Sequence, residues 1–184
     1  MSKYFYFQAL IKPTNFKINK GNIKLVREET DYSVKYPDSM KDHISINQVD
    51  KVVDIKLTKD FPNEDPMTIN LSNLQTCNVN LESGTLRAEA VCPNMKVRVN
   101  SGTLSANISK HNMASVKAHV SNGVLNNNSD LQVDPSYEGQ SFGSFWGMGT
   151  GFNNHIELMG NGSSHAVFEL DTGTMDLFSQ FSTL

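Results

Sequence analysis

A short repeated pattern is the sequence feature that most restricts the fold of this chain. Residues 79–86 read VNLESGTL, and residues 97–104 read VRVNSGTL, at an offset of 18 residues. Related units occur at 120–125 (VSNGVL) and at 170–175 (LDTGTM). In each unit, apolar and polar residues alternate before and after a turn that contains glycine. Because alternation places successive side chains on opposite faces of a strand, the repeat predicts β-structure.

The repeat also predicts how the strands assemble. Its glycines supply the positive φ that a turn between strands needs; they are Gly84, Gly102, Gly123 and Gly173. Units of about 18–21 residues cannot bury an apolar face alone, so they stack. We therefore expect an all-β fold, a stacked and β-helix-like β-solenoid. The side chains expected to face its interior share one phase around the glycines: Leu81, Leu86, Val99, Leu104, Val120, Leu125, Leu170 and Met175.

The N-terminal part, residues 1–66, is less regular but also strand-like. Five segments alternate apolar with polar residues between turn residues: 16–18, 21–26, 32–34, 44–46 and 53–57. The proline and acid cluster at 61–66 is the best boundary with the repeats of 67–184. Both parts are expected to form one continuous domain. A glycine- and aromatic-rich insertion at 134–154 interrupts the repeats.

These patterns resemble a known family. The segments GNIKL (21–25), YSV (32–34) and VDIKL (53–57), followed by the SGTL units, are similar to the putative adhesin family of β-strand-repeat proteins. The resemblance covers about residues 16–178. It implies a β-helix-like fold and an adhesive or scaffolding role, and it brings no catalytic residues with it.

Charge is distributed unevenly along the chain. The first 27 residues contain six basic residues and no acidic one, whereas residues 118–184 contain seven acids and neither Lys nor Arg. Because nucleic-acid binding depends on Lys and Arg at phosphates, the acidic end argues against such a partner. The basic segment is either solvated surface or a contact for an acidic partner.

The sequence contains no candidate for a membrane span, because no apolar run approaches the roughly 20 residues that cross a bilayer. The N-terminus also lacks the continuous apolar segment of a secretory signal. Its basic, acid-poor character is compatible with a mitochondrial or other intracellular location.

One motif matches a serine hydrolase. Residues 139–143 read GQSFG, and Glu157 and His165 follow Ser141 in the hydrolase order. That motif works on a strand-to-helix turn, and no helical pattern follows it here. With five glycines between 139 and 151, we interpret it as a chance match.

Metal and polysaccharide chemistry are not predicted either. The five histidines have no metal-ligand spacing. Asp130, Asp134 and Glu138 offer oxygen ligands for calcium, but their spacing fits neither an EF-hand nor a calcium-binding nonapeptide repeat. A polysaccharide-cleaving β-helix needs clustered carboxylates with Arg or Lys. The outward positions of the repeats are instead Asn, Ser, Thr and scattered charges, and Arg87 and Arg98 are the only arginines after residue 27. We expect no catalytic residue, metal or cofactor.

The segment 137–152, YEGQSFGSFWGMGTGF, is the most unusual part of the chain. It either covers the end or side of the solenoid or contacts a protein partner, since aromatic residues and Met are favoured in interface cores. The residues that we predict to contact a partner are Tyr137, Phe142, Phe145, Trp146 and Phe152.

The two cysteines form neither a disulfide-rich framework nor a zinc motif. An offset of 18 places Cys77 opposite Met95 and Cys92 opposite Leu74, so the thiols do not stack on each other. We predict two free, largely buried thiols that act as small apolar side chains.

Three functions remain from these observations. The leading one is a non-catalytic β-solenoid for adhesion or protein–protein assembly. The second is an accessory structural subunit of a larger intracellular or mitochondrial complex. The third is a carbohydrate-active β-helix enzyme.

Overall fold

The computed structural model describes residues 4–8, 11–59, 65–135 and 148–179, with the backbone alone for 148–153. Most of these residues lie in strands. The strands are β1 (Tyr4–Phe7), β2 (Asn15–Val26), β3 (Ser33–Pro37), β4 (Ile44–Val49), β5 (Val52–Leu57), β6 (Met67–Asn70), β7 (Thr76–Ala88), β8 (Asn94–Asn107), β9 (Met113–Asn128), β10 (Gln132–Val133), β11 (Met148–Met159) and β12 (Ser164–Phe178). A short 3₁₀ helix, Asp38–His43, follows β3. No helix in the described ranges has the length and hydrophobicity needed to cross a membrane.

The described strands form one open sheet, which confirms the all-β prediction. Its order is β1-β3-β6-β2-β7-β8-β12-β9-β11-β10, and β5 pairs with both β2 and β4. The segments predicted at 16–18 and 21–26 lie together in β2, and those at 44–46 and 53–57 lie in β4 and β5. Of the segment 32–34, residues 33 and 34 lie in β3 and Tyr32 precedes it. Strand β2, from the N-terminal part, pairs in parallel with β7, the first strand of the repeats.

Five long strands, β2, β7, β8, β12 and β9, are parallel neighbours, and we call them the stacked strands. Strand β7 pairs with β8 at the predicted offset of 18, so that Cys77 lies opposite Met95. Strand order in the stack does not follow the chain, because β12 lies between β8 and β9. Leu170 of β12 is opposite Val99 on one side and Val120 on the other. All the repeat units have the same spacing of apolar residues around their glycine. That spacing alone therefore does not determine which units are neighbours in the sheet.

Glycines form a continuous row across the stacked strands. Gly21, Gly84, Gly102, Gly173 and Gly123 are register partners from β2 to β9, with φ between 126° and 154°. A Cβ atom on Gly102 would lie 1.8 Å from the carbonyl oxygen of Gly84, and one on Gly173 would lie 1.8 Å from that of Gly102. The row therefore requires glycine both for its backbone conformation and for the close approach of neighbouring strands.

The apolar side chains of the stacked strands lie in one hydrophobic cluster. All eight side chains predicted to face the interior are buried, Leu125 being the most exposed at 4%. Alternation changes phase at the glycine row, since Leu81 and Leu86 of β7 are both fully buried. Consequently, the two halves of each strand contribute to the same cluster. Burial of one such Leu side chain stabilises the fold by about 1.5–3 kcal/mol.

Both cysteines are free and buried, as predicted. Their Cα atoms are not register partners, since Cys77 lies opposite Met95. Cys92 lies in the connection between β7 and β8, and this connection returns to the start of β7. There the nitrogen of Asn94 donates a hydrogen bond of 3.0 Å to the carbonyl oxygen of Gln75.

Candidate binding surface

Before the glycine row, the outward side chains of the stacked strands form ion pairs between strands. Lys96 and Arg98 of β8 pair with Glu169 and Asp171, at 2.8 and 2.9 Å. Lys117 of β9 pairs with Glu157 of β11 at 2.8 Å. Because these pairs are partly exposed, each contributes no more than about 1 kcal/mol. Their main consequence is that the three cations already have carboxylate partners.

Histidines lie beside these ion pairs but do not form a metal centre. His119 and His155 are cross-strand partners whose ring centroids are 5.9 Å apart. His165 Nδ1 hydrogen-bonds Ser115 Oγ at 2.8 Å. Within the described part of the chain, no group of three or more His, Cys, Asp and Glu side chains is arranged to hold a metal ion.

After the glycine row, the outward face carries a cleft of about 440 Å³. Its lining residues come mainly from β2, β7 and β8: Asn22, Ile23, Lys24, Pro66, Thr85, Arg87, Thr103, Ser105 and Asp176. The stacking produces this lining, because Lys24 is opposite Arg87, Arg87 is opposite Ser105, and Ser105 is opposite Asp176. We call this surface the polar cleft.

Arg87 is the distinctive group of the polar cleft. Lys24 Nζ pairs with Glu89 Oε2 at 2.9 Å, and Asp176 Oδ1 accepts a hydrogen bond of 2.7 Å from Asn126 Nδ2. Arg87 is exposed, and among the residues that the structure describes no carboxylate contacts it. Its guanidinium thus offers a fork of N–H donors to a ligand.

Sequence analysis did not identify this cleft, although the repeats contained the necessary signal. Apart from Ile23 and Pro66, its residues occupy the first or third position after the glycines of β2, β7, β8 and β12. Those positions alternate with the buried ones, so their outward direction followed from the pattern. The pattern did not show which residues would be neighbours across the strands, because the strand order was unknown.

The aromatic residues predicted to contact a partner are almost all beyond the described residues. Tyr137, Phe142, Phe145 and Trp146 fall there. Phe152 lies in β11, where its backbone is opposite Asn122 of β9. Residues 148–154 of the predicted insertion belong to this strand. The partner-contact role of the five aromatic residues stays a prediction.

The residues that suggested hydrolase or calcium chemistry have other partners. Ser141 and Glu138 are outside the described ranges. Glu157 contacts Lys117 and His155, whereas His165 contacts Ser115. Asp130 accepts hydrogen bonds from the Lys110 nitrogen at 2.8 Å and from Ser179 Oγ at 2.7 Å.

These bonds connect Asp130 to two neighbouring segments of the fold. Partial burial favours the neutral carboxyl. The hydrogen bonds from Ser179 and Lys110 outweigh that effect and lower the pKa of Asp130 below its ordinary value. The local structure therefore uses this carboxylate as a hydrogen-bond acceptor that joins connections between strands.

Comparison with known proteins gives only distant similarity. No protein-family model and no curated protein matches this chain. The crystal structure of a putative cell adhesion protein from Clostridium sporogenes aligns over 98% of this chain and 100% of its own, at 16% identity and a TM-score of 0.42. A putative adhesin from Bacteroides fragilis aligns over 95% of this chain and 97% of its own, at 11% identity and a TM-score of 0.30. Similarity at these values does not assign a function.

Proposed function

We propose that this chain is a non-catalytic binding module for adhesion or protein–protein assembly, built on a β-solenoid. The proposed solenoid path of the chain is supported by the short connection between β7 and β8, which has five residues, 89–93. It joins Ala88 to Asn94, and Asn94 lies opposite Thr76 at the start of β7. The six residue steps from Ala88 to Asn94 span at most about 22 Å. A straight strand with the 13 residues of β7 would extend about 40 Å. The chain therefore folds back within β7, and the phase change at Gly84 marks the corner.

Arg87 in the polar cleft is the observation that carries the binding role. In β7, β8, β9 and β12, the other cations are Lys96, Arg98 and Lys117, and each has a carboxylate partner. Arg87 has none within the described residues and is exposed. Arginine binds carboxylates with two parallel hydrogen bonds, which gives directional recognition.

The ligand that best fits the polar cleft is an acidic segment of a partner protein. A carboxylate of this segment would bind Arg87, and the hydroxyl groups of Thr85, Thr103 and Ser105 would hydrogen-bond its polar groups. Lys24 of β2, from the basic N-terminal segment, lines the same cleft and pairs there with Glu89. An accessory subunit of a larger complex would use the same contact.

A charge-reversal pair of variants tests the proposal. Arg87→Glu changes the polar cleft, whereas Lys56→Glu makes the same change on an exposed lysine of β5 outside it. Both tagged variants and the wild-type chain are used for affinity purification from the native source. We expect Arg87→Glu to weaken recovery of the specific partner at least tenfold, which is about 1.4 kcal/mol. Lys56→Glu should retain the partner, and neither change should alter Tm by more than about 2 °C because both side chains are exposed.

Other outcomes would contradict the proposal in identifiable ways. If Arg87→Glu keeps the partner while Phe145→Ser/Trp146→Ser loses it, the binding site lies in the aromatic segment. A large fall in Tm for Arg87→Glu would indicate that Arg87 stabilises the fold itself. Cleavage of a polysaccharide that is lost in Arg87→Glu would favour the enzymatic alternative.

A further inference from the structure

The outward side chains of the polar cleft continue in register beyond it, across the strands from the N-terminal part of the chain. Lys24 of β2 is opposite Thr68 of β6, and Thr68 is opposite Lys35 of β3. Lys35 in turn is opposite Tyr6 of β1. The residues that alternate with them in β2, β6 and β3 lie in the hydrophobic cluster or pack against it, so this series faces outward. We call Arg87, Lys24, Thr68, Lys35 and Tyr6 the outward row.

Two exposed tyrosines of β1 form the end of the outward row. Tyr6 is 64% exposed and Tyr4 is 38% exposed. Lys35 Nζ lies 4.3 Å from the centroid of the Tyr4 ring and 5.9 Å from that of the Tyr6 ring. The Tyr4 hydroxyl donates a hydrogen bond of 3.2 Å to Asp65 Oδ1. Because Tyr4 is held by these two contacts, Tyr6 presents the more accessible ring to a ligand.

The cations of the outward row that remain available for a ligand are Arg87 and Lys35. Lys24, which lies between them, pairs with Glu89 at 2.9 Å. Among the residues that the structure describes, no carboxylate contacts Arg87 or Lys35. Strand β3 lies three positions from β7 in the sheet, and β1 lies four positions from it. With neighbouring strands about 4.8 Å apart, Lys35 lies about 14 Å from Arg87 along the row, and Tyr6 about 19 Å.

We propose that the partner segment bound in the polar cleft is an extended acidic peptide that crosses the strands as far as Lys35 and Tyr6. This inference rests on the proposed function and specifies the partner. An extended chain advances about 3.3–3.4 Å per residue, and residues at even separations share one face. Four residues therefore span about 13 Å and six about 20 Å, which match the distances from Arg87 to Lys35 and to Tyr6. The peptide has one carboxylate for Arg87, a second carboxylate four residues along, and an aromatic ring two residues beyond the second.

The chemistry of each contact agrees with this spacing. Arg87 binds a carboxylate with two parallel hydrogen bonds, and the ammonium group of Lys35 binds the second as a compact charge. The exposed ring of Tyr6 takes an aromatic side chain in an offset or edge-to-face arrangement. A polyanion with a charge on every unit fits less well, because Glu89 beside Lys24 would repel its additional charges.

The test measures the binding of defined peptides to the wild-type chain by fluorescence anisotropy. The probes are the fluorescein-labelled peptide GESSSESYG and its reversed sequence GYSESSSEG, so that both chain directions are covered. The control peptide GSEESSSYG has the same composition, but its adjacent glutamates point to opposite faces of an extended chain. We expect one of the probes to bind about fivefold more tightly than the control. Equal affinities for all three peptides, or no binding, would overturn the proposed spacing.

Variants of the chain test the individual contacts of the bound probe. We expect Arg87→Glu to weaken binding about tenfold, Lys35→Glu about fivefold and Tyr6→Ser about threefold. Lys56→Glu, on β5 outside the outward row, is the matched control and should retain the affinity of the wild-type chain. Because these side chains point outward, Tm should change by no more than about 3 °C in each variant.

The variants also separate this inference from the proposed function. If Arg87→Glu loses the probe whereas Lys35→Glu and Tyr6→Ser retain it, the polar cleft still binds an acidic segment and the extended contact is refuted. If Arg87→Glu retains the probe as well, the proposed function fails with it. Polygalacturonate, an acidic polysaccharide, is added as a competitor. If it displaces the probe at a lower carboxylate concentration than the unlabelled peptide does, the choice of a protein segment is wrong.

Discussion

Replacement of Gly102 by alanine tests the packing of the stacked strands most directly. Gly102 lies in the middle of the glycine row, at φ 137°, and an added Cβ would lie 1.8 Å from the Gly84 carbonyl oxygen. An ordinary contact of a Cβ atom is at least 3.4 Å. The obstacle is backbone, so no side-chain rotation relieves it, and strands β7 and β8 have to separate by more than 1 Å at this level.

The expected cost has two parts. Holding a non-glycine residue in this backbone region costs about 1–3 kcal/mol. Weakening of about two ladder hydrogen bonds costs roughly another 1–3 kcal/mol. We therefore expect Gly102→Ala to lower the free energy of unfolding by about 4 kcal/mol, or Tm by about 8–16 °C.

The assay is urea denaturation followed by circular dichroism of the strand signal, with a thermal melt in parallel. Ser101→Ala, at the adjacent exposed position of β8, is the matched control and should stay within about 0.5 kcal/mol of the wild-type chain. If Gly102→Ala itself lay within about 1 kcal/mol of wild type, with an unchanged denaturant slope, the strands could not be as close as the glycine row implies.

Three further changes test other parts of the molecule. Phe168→Ala removes a side chain with 0% exposure and should destabilise by about 3–5 kcal/mol in urea denaturation, whereas a cost below about 1 kcal/mol would place Phe168 outside a packed core. Because the pKa of Asp130 is lowered, its carboxylate stabilises the fold above the ordinary pKa near 3.8, and this stabilisation is lost as pH falls below that value. The free energy of unfolding of Asp130→Asn should therefore change less between pH 5 and pH 2 than that of the wild-type chain. Parallel pH profiles for the two proteins would contradict this prediction. Phe145→Ser/Trp146→Ser should abolish association and leave Tm almost unchanged if the aromatic segment binds a partner, whereas a large fall in Tm with association intact would make it a cover of the fold.

Strand alternation and glycine positions were predictable because both are local. Leu81 and Leu86 could be assigned to the interior from their phase around Gly84, and the offset of 18 correctly placed Cys77 opposite Met95. The position of β12 between β8 and β9 was not predictable. Several units with the same phase can pair in more than one order, and the choice depends on packing across the whole sheet.

The candidate sites depended on the same non-local information. Alternation predicts that Arg87 points outward, but which strands flank β7 decides whether a described carboxylate contacts it. Sequence reasoning therefore predicts the outward direction of Arg87 but not the polar cleft or the neighbours of its residues.

The order of the stacked strands has a direct consequence for the surface of the polar cleft. Across β2, β7, β8 and β12, the third position after each glycine is Lys24, Arg87, Ser105 and Asp176, so charge changes from positive to negative across the sheet. If β9 lay beside β8 in chain order, Asn126 would take the place of Asp176 and the negative end would be missing. A partner segment that crosses these strands therefore has one favoured direction under the proposed function, with its carboxylates toward β2 and β7 and any cation toward β12. Insertion of β12 into the stack thus gives a repeated scaffold a surface whose two ends differ.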